Sequence, residues 1–154
     1  MATNDTIRTL NTLVTLEASG ISLSDGDFGE ANDSDLTSAD IDGMPVAIFE
    51  LTTAAGGFSG APSEGAAVHL FEQKFMTGGV NQAPSPDGAF QHDHIGTFYV
   101  NTVDTQQYLR IEGVPINYLG GTYHIQWVDG PGGSVSMDSG WSLDVTPYTL
   151  RPES

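Results

Sequence analysis

His92 and His94 stand two residues apart in the run QHDHIG. On a strand, residues i and i+2 point to the same face, so two imidazoles could grip one divalent ion. A metal that does chemistry needs at least one further protein ligand and an open position. After His94 the chain reads IGTFYVNTVD, with no carboxylate before Asp104. The remaining candidate is His124, but it alternates with Tyr123, Ile125 and Trp127, and so falls on the polar face of its strand. The reading adopted is therefore that these are loop and surface histidines: no catalytic residue, no cofactor and no metal is assigned. His92, His94 and His124 are the set that a metal-dependent alternative would use.

The other chemistry-bearing stretches are weaker. In DGDFGE, Asp25 and Asp27 alternate like the opening of a calcium loop. Gly29 stands where the third oxygen ligand belongs, and Leu36 where the closing Glu belongs, so this is not an EF-hand. A long solvated acidic loop, or loops around one short strand, is expected over residues 24–43 instead. The run DGPGGSVSMDSG is glycine-rich, but a phosphate cradle needs a helix N-terminus and usually a nearby Lys. It reads as a turn. No serine sits in a Gly-x-Ser-x-Gly elbow, and any pair drawn from the 20 acidic residues for glycoside cleavage would be arbitrary. The chain is read as a non-enzyme.

The balance of charge narrows the partners. With 20 Asp plus Glu against 4 Lys plus Arg, the formal charge is −16. Such a surface repels phosphate, which argues against nucleic acid and against anionic membranes. A basic protein patch, a multivalent cation or plain solubility remains. There is no cysteine, which removes disulfides, thiolate metal sites and thiol catalysis, and suits folding in a reducing compartment. The N-terminus lacks a basic region followed by an apolar one, and no run approaches the ~18 apolar residues of a membrane helix. A soluble chain made without a cleaved signal is expected.

The elements that must position any site are strands. A chain of 154 residues is most simply one domain, able to bury roughly 70% of its unfolded surface. Its 19 Gly and 8 Pro make long helices improbable. From residue 96 onward GTFYVNT, QQYLRIEGVPI, GTYHIQWVDG and GWSLDVTPYTL follow one another across short turns. Tyr123, Ile125 and Trp127 share one face, and Trp141, Leu143 and Val145 share another, which is the period of half-buried strands. Both tryptophans are thereby assigned to the core. MPVAIFELTT (44–53) reads as a strand buried on both faces. AAVHLFEQKF (66–75) reads as a strand whose Glu72 and Lys74 share phase with Val68 and Leu70, which a bulge or a twist past Phe71 would reconcile; a short helix is the alternative. Seven to nine short strands give an all-β, antiparallel two-sheet sandwich, jelly-roll-like, with residues 1–20 as an extended N-terminal arm or first strand, 21–154 as the sandwich domain, and long loops.

The stretch from Gly113 to Pro152, GVPINYLGGTYHIQWVDGPGGSVSMDSGWSLDVTPYTLRP, resembles the C-terminal part of the head decoration (cement) proteins of tailed bacteriophages. It shares with them a strand, a Gly-rich turn, Gly-Trp-Ser-Leu and a Pro-flanked final strand. The resemblance implies a sandwich that binds the outer surface of an assembled capsid. Its partners would be the major capsid protein and neighbouring copies of itself, and its location the virion surface after synthesis in the host cytoplasm. Repeated weak contacts by arm and loops would sum through multivalency. Two alternatives come from other classes. One is a cupin-like metal-dependent enzyme using His92 and His94; the other is a receptor- or carbohydrate-binding module of a tail or neck, which would expose Trp127 or Trp141.

Overall fold

The computed structural model describes residues 6–77, 85–87 and 93–152. Among the described residues, ten strands form two antiparallel sheets, with one short helix between the fourth and fifth strands in sequence. In the first sheet, β10 (Ser142–Pro152) is flanked on one side by β5 (Val46–Thr52), with β8 (Tyr108–Pro115) beyond it. Along its other side run two pieces in succession, β1 (Thr6–Leu10) and β2 (Val14–Glu17). The second sheet repeats this plan. There β9 (Gly120–Val128) pairs with β6 (Ala67–Lys74), which carries β7 (His94–Tyr99) on its far side. Two short pieces, β3 (Phe28–Glu30) and β4 (Leu36–Thr37), complete the free side of β9. The expected two-sheet sandwich is the fold, and no helix among the described residues is long and apolar enough to cross a membrane.

Alternation decides which side chains meet between the sheets. On β9, Tyr123, Ile125 and Trp127 lie opposite Glu72, Leu70 and Val68 of β6 and face the core, while Thr122, His124 and Gln126 face away. Phe49 of β5 reaches across to Tyr123, ring centroids 5.2 Å apart. Both tryptophans are fully buried, as their phase requires. Each also ties down a loop by its indole N–H: Trp127 Nε1 donates to the Val135 carbonyl at 2.8 Å, and Trp141 Nε1 donates to the Ile21 carbonyl at 2.7 Å. The two are not hairpin partners: Trp127 lies on β9 in the second sheet and Trp141 directly before β10 in the first, so they enter the core from opposite layers. Each indole covers apolar core and places its one polar group on a loop carbonyl.

The acidic stretch corrects the sequence reading. Residues 24–43 hold more order than loops around one short strand: they contain β3, β4 and the single-turn helix α1 (Ser38–Ile41), and they bury Ala31, Leu36 and Ile41. Carboxylates supply the order by accepting backbone N–H groups. Asp27 accepts from Ser24 N at 2.9 Å, Asp33 from Ala18 N at 2.6 Å, and Asp25 from Asp129 N at 2.8 Å. Asp40 and Thr37 cap α1 reciprocally. Just outside the stretch, Glu17 accepts from Ser19 N and Asn32 N, which pins this segment to β2. Charge-assisted bonds of this kind are about twice as strong as neutral ones, so they do here what apolar burial does elsewhere.

Candidate functional site

Four strand ends meet at one mouth of the sandwich and enclose a cleft of about 660 Å³. One lip is Gly43, Met44 and Pro45, the approach to β5. It is set by the end of α1, where Asp42 (φ 48°) and Gly43 (φ 74°) both adopt left-handed backbone and reverse the chain. The floor is the end of β6, Glu72 and Lys74, with His94 and Ile95 from the start of β7. The opposite lip is Pro115 to Tyr118, the end of β8 and the turn into β9.

That turn is held rigidly. Asn117 Nδ2 donates to the carbonyls of Phe75 and Gly120, both at 2.9 Å, and Asn117 N donates to Glu72 Oε2 at 3.0 Å. With Asn117 locked, Tyr118 stands at the tip with 70% of its surface exposed. Glu72 is almost fully buried and also accepts the Tyr123 hydroxyl, on the same Oε2, at 2.6 Å. Burial raises its carboxyl above the ordinary range; the bonds from Tyr123 and Asn117 and the nearby Lys74 pull the other way. The same burial, with Glu72 adjacent, drives the Tyr123 phenol well above its usual value, so it remains a donor.

The sequence reading missed Glu72 as a site residue, although its signal was in view. A charge in phase with Val68 and Leu70 was attributed to a bulge that would turn it outward. A register shift does occur, but before Phe71 rather than past it, between Leu70 and Phe71, and only in the pairing with β7. Against β9 the register runs unbroken and Glu72 stays in the core phase, opposite Tyr123.

Two of the three histidines that a metal-dependent alternative would use can be placed. His92 lies outside the described residues. His94 and His124 both flank Phe71, on β7 and β9 respectively, on the outer face of the second sheet. His94 Nε2 bonds Thr97 Oγ1 at 3.0 Å, and His124 Nε2 bonds Gln73 Oε1 at 2.9 Å. A third imidazole that the sequence reading did not single out, His69, shares Thr97 Oγ1 at 3.0 Å, its ring 5.2 Å from that of His94. No group of three or more His, Cys, Asp or Glu placed to hold a metal ion occurs among the described residues. His69, Phe71, His94 and Gln126 line a second, smaller depression of about 240 Å³. His94 therefore belongs to both hollows.

No family model and no curated protein matches the chain. Its matches are solved structures. One is the CBM36-1 domain of a multidomain xylanase from the hindgut metagenome of Trinervitermes trinervoides, at 12% identity and TM-score 0.49, covering 92% of this chain and 96% of that one. Another is a β-1,3-glucan binding CBM6 from Bacillus halodurans, at 11% identity and TM-score 0.40, covering 94% and 95%. At these values neither carries a functional argument for this chain.

His124 gives the molecule a pH dependence with a definite sign. It is only 5% exposed, and burial pushes its imidazole down to about 4, with Asp35 opposing. The unfolded chain holds the same group near its ordinary value of about 6.5 and takes up the proton first. Stability is therefore complete above about pH 6.5 and falls as pH drops toward 4, by ~2 kcal/mol for this residue. His69, also lowered by burial, acts in the same direction, and Glu72 in the opposite one. Urea unfolding of His124→Gln at pH 7 and pH 4.5 is expected to show the loss on acidification reduced by about 2 kcal/mol. An unchanged loss would remove His124 from the account.

Proposed function

We propose that the chain is a non-catalytic module that binds a neutral glycan in the cleft at the mouth of the sandwich. The observation that carries this is Tyr118, an exposed aromatic ring on an immobilised turn, beside a floor of hydrogen-bonding groups. A sugar ring has an apolar face that stacks on an aromatic ring and a belt of hydroxyls that need donors and acceptors. Lys74 donates, the Glu72 carboxylate accepts, and His94 does either according to its tautomer. Ile95, Ile116 and Met44 supply the apolar wall. The cleft lining contains no serine, threonine or cysteine nucleophile. The charge of −16 disfavours uronate or sulfated chains. Trp127 and Trp141 are in the core and take no part, so the exposed-tryptophan form of this reading is set aside in favour of the tyrosine.

Native gels cast with soluble β-1,3-glucan, β-1,4-glucan, xylan or mannan test the proposal. Wild-type protein is expected to be retarded by at least one of them and to release no reducing sugar. Tyr118→Ala is expected to weaken that retardation at least tenfold, about 1.4 kcal/mol. Retardation by none of the four, or equal retardation of the variant, would refute it.

A second reading, a capsid decoration protein that meets shell subunits and neighbouring copies, is favoured by a different observation. The outer side of β1 has no strand partner among the described residues, and Leu10, Leu13 and Leu150 stand exposed beside it. Apolar groups along an open edge are what a protein partner would cover. Co-sedimentation with capsids lost in Leu10→Asp and kept in Tyr118→Ala would favour this reading over the first.

A further inference from the structure

We propose that Glu72 decides which glycans the cleft accepts: its Oε1 takes a hydrogen bond from one free hydroxyl of the ligand, so a chain capped by an ether or an ester at that point is refused. The inference rests on the glycan reading above and names within it the class of ligand, an uncapped neutral glycan. Glu72 is only 1% exposed, yet it lines the cleft. A carboxylate set so deeply needs partners for both oxygens, because a buried charge without them is costly.

One oxygen is already committed. Oε2 accepts from the Tyr123 hydroxyl at 2.6 Å and from Asn117 N at 3.0 Å. Among the described residues no hydrogen bond or ion pair reaches the other oxygen, Oε1. Lys74, two residues along β6, favours the charge through space but makes no ion pair with it. No sealed side-chain oxygen or nitrogen among the described residues lacks a partner, so Oε1 is open, and the cleft is what it opens onto. Solvent serves an open acceptor until a ligand displaces it, and the ligand must then return the bond or lose affinity. A hydroxyl can return it. An ether, an ester or a second carboxylate cannot, because each presents only lone pairs to an oxygen that itself only accepts.

The bonds at Oε2 also fix what an isosteric change would do. Asn117 N is a backbone donor whose role cannot reverse. In Glu72→Gln the amide oxygen must therefore take the place of Oε2, which turns the side-chain NH2 toward the cleft. An acceptor becomes a donor with almost no change of shape. That donor is met equally well by a hydroxyl or by an ether oxygen, so the variant loses the distinction between them. Selectivity is a difference of two affinities: general damage to the cleft lowers both together, whereas this exchange changes their ratio.

Native gels cast with soluble β-1,3-glucan, β-1,4-glucan, xylan or mannan, each uncapped and in O-methylated form, test the assignment. Wild-type protein is expected to bind at least one uncapped glycan about tenfold or more tightly than its methylated form. Glu72→Gln, with thermal unfolding used to confirm that it is folded, is expected to bring the two affinities within about threefold. A second readout needs no variant: in wild-type protein carrying 13C-labelled glutamate carboxyls, the Glu72 signal is expected to move with the uncapped glycan and to stay in place with the methylated one. Equal wild-type affinity for both forms, a tenfold preference kept by folded Glu72→Gln, or a Glu72 signal unmoved by a bound uncapped glycan overturns the role of Glu72; if Tyr118→Ala still loses retardation, the glycan reading stands without it. Retardation by no glycan in either form overturns both.

Discussion

Gly120→Ala is expected to cost roughly 4 kcal/mol, a large part of the 5–15 kcal/mol that a domain has. Two effects add. The residue has φ of +90°, a region where any L side chain is strained by about 1–2 kcal/mol. A Cβ built there also collides with the Leu36 carbonyl oxygen, with Leu36 C at 3.0 Å and Thr37 Cα at 3.1 Å. These are backbone atoms of β4, paired with Gly120 and Gly121 in the sheet, and cannot turn aside as a side chain would. Gly120 cannot retreat either. Its N–H donates to the Asn117 carbonyl at 2.9 Å, and its carbonyl accepts from Phe75 N at 3.0 Å and from Asn117 Nδ2 at 2.9 Å. Any relief breaks the turn that holds Tyr118, so ligand binding is lost together with stability. Gly132→Ala separates the two effects, because Gly132 has φ of +70° and nothing within 4 Å of its Cβ position. It is expected to cost about 1 kcal/mol. Equilibrium urea unfolding of both variants gives the comparison. Costs equal to within about 1 kcal/mol would show that contact with β4 is not what constrains Gly120.

The same turn shows why the fold was readable in the sequence and the cleft was not. Strands announce themselves by alternation, and Tyr123, Ile125 and Trp127 point inward because each is two residues from the next. The two-layer sandwich follows from burying such faces against one another. The cleft has no such period. Its walls come from residues 43–45, 72–74, 94–95 and 115–118, four strand ends that only the topology brings together. Tyr118 read as one more residue of a turn, since exposure at a turn tip carries no pattern. The acidic stretch was misread for a related reason. Asp25, Asp27 and Asp33 find backbone N–H partners at irregular separations, and composition alone makes such a segment look like solvated loop. The histidine alternative uses the spacing of His92 and His94 as its signal; among the described residues His94 meets His69, 25 positions away in sequence but on the paired strand, and both bond Thr97.

Trp127→Ala is expected to destabilise the protein by about 4 kcal/mol, toward the upper part of the range for emptying an aromatic site in a core. The indole is fully buried and packs on Phe58 at 5.1 Å between ring centroids. Its removal leaves a cavity beside Phe58 and strips the Val135 carbonyl of its donor, so a transfer loss, a cavity and an unsatisfied acceptor combine. Trp127→Phe refills most of the volume but cannot donate, and about 2 kcal/mol is expected for it. The ordering distinguishes a core role from a binding one. A tryptophan that served as a platform for ligand would be replaced by alanine at little cost to unfolding and at large cost to affinity. It would also be reached by iodide, whereas Trp127 and Trp141 are expected to fluoresce unquenched until the protein unfolds. Unfolding midpoints within error of wild type for Trp127→Ala, with glycan retardation abolished, would move the binding surface from Tyr118 to the opposite end of β9 and undo the assignment of the cleft.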